Sequence, residues 1–137
     1  MVMNKFYLGI DPGRSKTGLA LVDEAGRILS LRIAESQNIH NEIVDFTKDN
    51  CPAQIVLGNG TNSAIIGEAA QKALPNVAVV VVEEAHSTEE ARSLYWKENP
   101  PQGLKKLVPL GLLVPPVPLD AYAAVVLVRR FLEGNHE

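Results

Sequence analysis

Apolar positions along the chain fall into short runs bounded by Gly, Pro, Asn and Asp, and the spacing inside each run predicts its element. Phe6 to Ile10 and Thr17 to Val22 are runs of strand length, separated by Pro12-Gly13 and the polar Arg14-Ser15-Lys16. The first shows no polar alternation, so it reads as a strand covered on both faces, with Asp11 at its end. Asp23-Glu24-Ala25-Gly26 has the composition of a hairpin turn with Gly26 in the left-handed position, and it leads into a third strand from Arg27 to about Ile33. Ser36 is placed to cap a helix from about Gln37 to Lys48, whose Ile39, Ile43, Val44 and Phe46 form an apolar stripe. Ile55-Val56-Leu57 predicts a fourth strand, followed by Gly58-Asn59-Gly60 and a helix capped by Thr61 that reaches about Leu74. Val77 to Val82 is apolar throughout and predicts a fifth strand, again covered on both faces.

Ser87-Thr88-Glu89-Glu90 has the spacing of a capping box, Ser87 as the cap and Glu90 reaching back, for a helix to about Lys97. The stretch from Asn99 to Pro118 then breaks the pattern, with six of the nine prolines and the pair Lys105-Lys106. Leu107, Leu110, Leu112, Leu113 and Val114 make it too apolar for a free linker, so an ordered, irregular loop is expected. From about Leu119 to Leu132 the chain is apolar nearly all round, which predicts a helix buried against a sheet, with Arg129-Arg130 and Gly134 suited to its C-terminal end. A β-meander followed by alternating helices and strands predicts an α/β fold. The expected architecture is a five-stranded mixed sheet in the order 3-2-1-4-5 with helices on both faces, forming a single domain over 1–137.

Composition adds limits. A chain of 137 residues, 46% apolar and 21% charged, can bury one full core. A formal charge of -3 does not advertise nucleic-acid binding, although a cluster of acids can mask a local basic patch. Cys51 is the single cysteine, which excludes a disulfide framework and a cysteine zinc site and suits a reducing, cytoplasmic setting. No segment approaches the length of a signal peptide or membrane span, so no membrane partner is expected.

The acids carry the candidate chemistry. Asp11 ends the first strand, Glu83-Glu84 follows the fifth, and Asp120 opens the buried helix. Acids are seldom buried without a partner, and three at the ends of core elements have a common explanation in a divalent cation. Carboxylate oxygens suit magnesium or manganese, and such ions serve in-line displacement at a phosphodiester. Each acid also has an ordinary alternative: Asp11 bonding turn amides, Glu84 as a loop acid, Asp120 complementing a helix dipole. Successive strand residues face opposite sides, so only one of Glu83 and Glu84 can share a face with Asp11.

Three stretches together resemble a known family. They are Gly9-Ile10-Asp11-Pro12-Gly13 with Thr17-Gly18-Leu19-Ala20, then Glu83-Glu84-Ala85-His86-Ser87-Thr88-Glu89-Glu90-Ala91-Arg92, then Asp120-Ala121-Tyr122-Ala123-Ala124. In this order they are similar to the YqgF family of RNase H-like proteins, also described as RuvX-like Holliday junction resolvases and pre-16S ribosomal RNA nucleases. The resemblance covers nearly the whole chain. It implies an RNase H-like, YqgF-type domain and a magnesium- or manganese-dependent nuclease, monomeric or homodimeric, acting on RNA or branched DNA. It assigns Asp11, Glu84 and Asp120 as catalytic metal ligands, with Glu84 chosen over Glu83. The chain departs from the family pattern at Ala85, where the family has Arg, so the role of that guanidinium is either absent or supplied by another residue such as Arg14 or Arg92. Its Gly58-Asn59-Gly60-Thr61 loop resembles the version in Tex transcription accessory proteins, and its proline-rich stretch is longer than usual.

Arg14, Lys16, Asn59, Arg92, Lys105 and Lys106 are the candidate nucleic-acid contacts, each with a solvated or local structural role as the alternative. His86 reads as a polar residue of a loop before a helix, and Tyr95 and Trp96 read as core or interface rather than base-stacking groups. Two other function classes stand beside the nuclease. The Asp-x-Gly turn also resembles the phosphate loop of the actin and Hsp70 group, but that architecture needs two such lobes. A non-catalytic nucleic-acid-binding or scaffolding relative fits the acidic balance and Ala85.

Overall fold

The computed structural model describes residues 5–134 and builds one sheet from an opening meander and two parallel crossovers. Strands β1 (Phe6–Asp11), β2 (Lys16–Asp23) and β3 (Ile28–Glu35) are antiparallel neighbours. A 3-10 turn over Ser36–Asn38 and helix α1 (Ile39–Phe46) lead to β4 (Gln54–Gly58), which lies parallel to β1. Helix α2 (Ser63–Ala73) then leads to β5 (Val79–Val82), parallel to β4. Helices α3 (Ser87–Glu98) and α4 (Asp120–Leu132) complete the chain. The strand order is β3-β2-β1-β4-β5, as expected, with β1 at the centre.

The period of two along each strand sorts its side chains to opposite faces. Leu8, Ile10, Leu19, Leu21, Ile55 and Leu57 pack with Ile39 and Ile43 of α1 and Ile66 and Ala70 of α2. Ala20, Val22, Val56 and Val82 pack on the other side with Ala91 and Leu94 of α3 and with Ala124 to Val128 of α4. Each fully buried Leu or Ile contributes about 1.5–3 kcal/mol of burial free energy, so the two cores fix β1 between them.

Several local expectations are corrected. The fifth strand is the sheet edge rather than a strand covered on both faces: it begins at Val79, and Val81 is 44% exposed. Asn62, not Thr61, occupies the cap position of α2, in a left-handed conformation with φ 72°. The capping box of α3 does not form. His86 takes the cap position at φ 64°, and Glu90 turns away to pair with Arg130. Ser36 is not a helix cap but a buried hydroxyl, because its Oγ meets Gly13 O and Thr17 Oγ1 instead of a helix amide. Gly26 is left-handed at φ 84°, as the hairpin turn requires.

The proline-rich segment is irregular, with 3-10 turns at Gly103–Leu107 and Leu110–Leu112. Its apolar side chains do not form a core, as prolines interrupt every stretch long enough to supply an amphipathic face. Leu104, Leu107 and Val114 are 84%, 82% and 85% exposed. The segment lies beside α3 at a cavity of about 550 Å³ lined by Tyr95, Trp96, Pro100, Leu104 and Pro116. Trp96 is buried there, and its Nε1–H has no hydrogen-bond partner among the described residues. Tyr95 and Trp96 are thus core residues, and Tyr95 stacks edge-on against both Trp96 and Tyr122 of α4.

Candidate active site

Parallel pairing aligns β1, β4 and β5, so their carboxyl ends line one edge of the sheet, where open α/β sheets receive ligands. Asp11 is the last residue of β1, Glu84 follows the end of β5 by two residues, and Asp120 is the first residue of α4. The antiparallel register places Gly18 opposite Asp11. A Cβ on Gly18 would run into the backbone of Asp120 and Ala121, so the bare backbone of β2 is the seat on which α4 begins. This seat brings Asp120 beside Asp11.

Glu84 is held by two loops. Its carboxylate Oε1 accepts the Gly60 N–H at 2.9 Å, and its backbone N–H donates to Asn59 Oδ1 at 3.1 Å. A side chain at Gly58 or Gly60 would occupy the space of that carboxylate. From α4, Arg130 donates to the carbonyls on either side, Glu83 O at 2.6 Å and Ala85 O at 2.7 Å, while also pairing with Glu90. Glu83 points into solvent and accepts the Ala85 N–H at 3.0 Å. The strand alternation is thereby resolved, with Glu84 inward and Glu83 outward.

The electrostatics follow from this placement. Burial, and then the charges of Glu84 and Asp120, push the Asp11 carboxyl up from 3.8 to about 7. Burial also raises Asp120. Among the described residues neither carboxylate accepts a hydrogen bond from the protein, in contrast to Asp23, which accepts from Ala25 N, Arg27 N and Arg27 Nε and is held low chiefly by the backbone of Arg27. Three hard oxygen donors with two left unpartnered are the chemistry a divalent cation answers. Among the described residues, however, no three acids form a ready coordination group. The three share a charge field without converging on one centre.

The candidate nucleic-acid contacts are spread more widely. Arg14 and Arg92 are exposed, and no ion pair engages either among the described residues; Lys105 and Lys106 project from the proline-rich loop in the same state. Lys16 is bound to Glu35 at 2.6 Å, and Asn59 is occupied by Glu84. His86 is exposed, 3.9 Å from Glu89. Sequence reasoning missed Arg130, read only as a dipole-complementing residue, and Asn62. Their partners are backbone carbonyls distant in sequence, which leave no local pattern.

The sheet order and helix placement define an α/β protein with the RNase H-like fold. Among solved structures the chain is similar to RuvC of Thermus thermophilus, in two structures at a TM-score of 0.58 and 16% identity. One, described as RuvC in complex with Holliday junction substrate, is matched over 95% of this chain and 94% of that one. The other, of RuvC alone, is matched over 96% and 98%. At that identity the likeness shows the fold. No protein-family model matches the chain, and no curated protein sequence does.

Proposed function

We propose that this protein is a divalent-metal-dependent endonuclease of the YqgF type, acting on structured nucleic acid, either precursor ribosomal RNA or a branched DNA junction. One observation carries the reading: Asp11, at the carboxyl end of the central strand, accepts no hydrogen bond among the described residues and is destabilised as an anion by burial and by Glu84 and Asp120. A carboxylate in that state gains most from a cation. Asp11, Glu84 and Asp120, which share a charge field without forming a closed coordination group, would have to draw together to hold magnesium or manganese, which when bound activates water and neutralises charge on a phosphodiester. The residues do the positioning. Asp11 is fixed by its pairing with Gly18 of β2, one residue past the Ile10–Leu57 pair with β4, Glu84 by Asn59, Gly60 and Arg130, and Asp120 by the Gly18 seat. Arg14, Arg92, Lys105 and Lys106 supply positive charge for phosphates, while Lys16 and Asn59 need to leave their present partners to do so. The reading includes a single domain working as a cytoplasmic monomer or homodimer.

RuvC in complex with its junction makes branched DNA the first substrate to try. The test is a panel of four-way junctions, duplexes and ribosomal RNA precursors in magnesium and in manganese, with Glu84→Gln and Glu83→Gln beside wild type. Expected is metal-dependent cleavage that Glu84→Gln abolishes and Glu83→Gln largely retains. The converse pattern would assign the metal to Glu83. A second reading, a non-catalytic scaffolding relative, is favoured by the exposed leucines of the proline-rich loop, since apolar patches of that kind mark interaction surfaces. Calorimetric titration with magnesium separates the two, because a scaffold has no need of heat or protons from metal binding.

A further inference from the structure

The four residues Asn59 to Asn62 touch both halves of the site. At one end Asn59 Oδ1 and the Gly60 N–H bind the backbone and carboxylate of Glu84. At the other, Asn62 Nδ2 donates to Gly13 O at 3.0 Å, in the turn that directly follows Asp11. The same carbonyl accepts Ser36 Oγ at 2.8 Å, and Ser36 Oγ lies 2.7 Å from Thr17 Oγ1, which in turn accepts the Gly13 N–H at 3.4 Å. Thr17 and Ser36 are buried, so the turn is anchored from beneath. Asn62 is held at φ 72°, where an L-residue other than Asn or Asp is strained. Asn62 stands at the cap position of α2, yet its side chain makes no capping bond there. Its amide crosses to another element.

We infer that Asn59–Asn62 is a strap that sets Glu84 against Asp11, with Asn62 as a positioning residue for the metal-binding acids. This rests on the metal reading above and names what holds the ligands apart or together. With both lone pairs of the Gly13 carbonyl engaged the turn is held from two sides, and removing the Asn62 bond uncouples it from the loop that holds Glu84 while Ser36 and the core strands stay in place.

The experiment compares the magnesium concentration that gives half the maximal rise in melting temperature. Asn62→Gly removes the amide but accepts the positive φ, so the fold is kept. Asn62→Asp retains size and replaces the donor by an oxygen that Gly13 O repels. Gln71→Ala is the structural control, as Gln71 Nε2 ties Leu74 O and Val77 O at the far end of α2. Expected is a half-saturating magnesium concentration raised about 10-fold or more in both Asn62 variants, the loss typical of an outer-shell partner, with the metal-free melting temperature of Asn62→Gly near wild type. Gln71→Ala is expected to melt earlier at an unchanged magnesium requirement. An Asn62→Gly midpoint equal to wild type, or an equal rise in Gln71→Ala, overturns the strap. If wild type itself shows no response to magnesium, the metal reading fails and the strap falls with it.

Discussion

At Asp11 burial and two neighbouring carboxylates act in one direction, and the proton is held to about pH 7. The sign of its effect on stability follows. The folded protein takes up this proton below about pH 7 and the unfolded chain only near 3.8, so the group favours the fold fully below about pH 4 and loses that contribution as pH rises through 7. The gap between 3.8 and about 7 sets an upper bound of about 4 kcal/mol. Asp23 and Asp45 are held low by their hydrogen bonds, so their contribution is lost only on the acid side of 3.8 and leaves the window from pH 5 to 8 clear. Metal-free wild type is therefore expected to melt lower at pH 8 than at pH 5, and Asp11→Asn to flatten that slope. Asp11→Asn and Asp120→Asn remove charge while keeping volume, so each is expected to melt at or above wild type without metal, gain less from magnesium and cleave nothing. Strong destabilisation of both, with no magnesium effect on wild type, would make the acids structural. Melting curves of the three proteins at two pH values, with and without magnesium, decide it.

Among the elements, α4 has the most to satisfy, since its Asp120 end must enter the site while its body fills a core. Gly18 makes this possible. Gly18→Val would drive β2 and α4 apart at the residue paired with Asp11, and overpacking of that kind costs about 1–3 kcal/mol. The expected result is a lower melting temperature together with weaker magnesium response, read by the same melts; a variant as stable and as responsive as wild type would show that the seat is loose. The helix itself was legible from Ala121 to Val128, where no polar residue interrupts the run. So was the sheet order, because the buried β1 run, the hairpin at Gly26 and the crossovers leave few arrangements. The caps were not. Ser36, Thr61 and Ser87 carry capping side chains, yet the bond each would make to its own helix is displaced by tertiary packing or by a left-handed neighbour. For the site, the three acids could be picked out by position, whereas Asn62 and Arg130 hold carbonyls that only the folded chain brings near.

At the scale of the whole molecule, an acidic protein presents one stretch, residues 99–119, that contains no Asp or Glu and two lysines. That stretch displays apolar side chains to solvent and covers the face of α3 carrying Trp96. Its prolines reduce the entropy lost when it becomes ordered against a partner, whether nucleic acid or protein. Trp96 is also the single tryptophan, 7% exposed, with an indole N–H that has no hydrogen-bond partner among the described residues. The chain thus contains its own optical gauge, because all of its indole emission arises from one largely buried ring beside the proline-rich loop. Lifting the loop admits water to that ring and moves the emission to longer wavelength. Magnesium alone is expected to leave the emission maximum in place, since Trp96 belongs to the packing of α3 and the loop and not to the strand ends. A four-way junction that engages Lys105 and Lys106 is expected to shift it, and an unmoved spectrum at saturating junction would mean that the loop stays seated during binding.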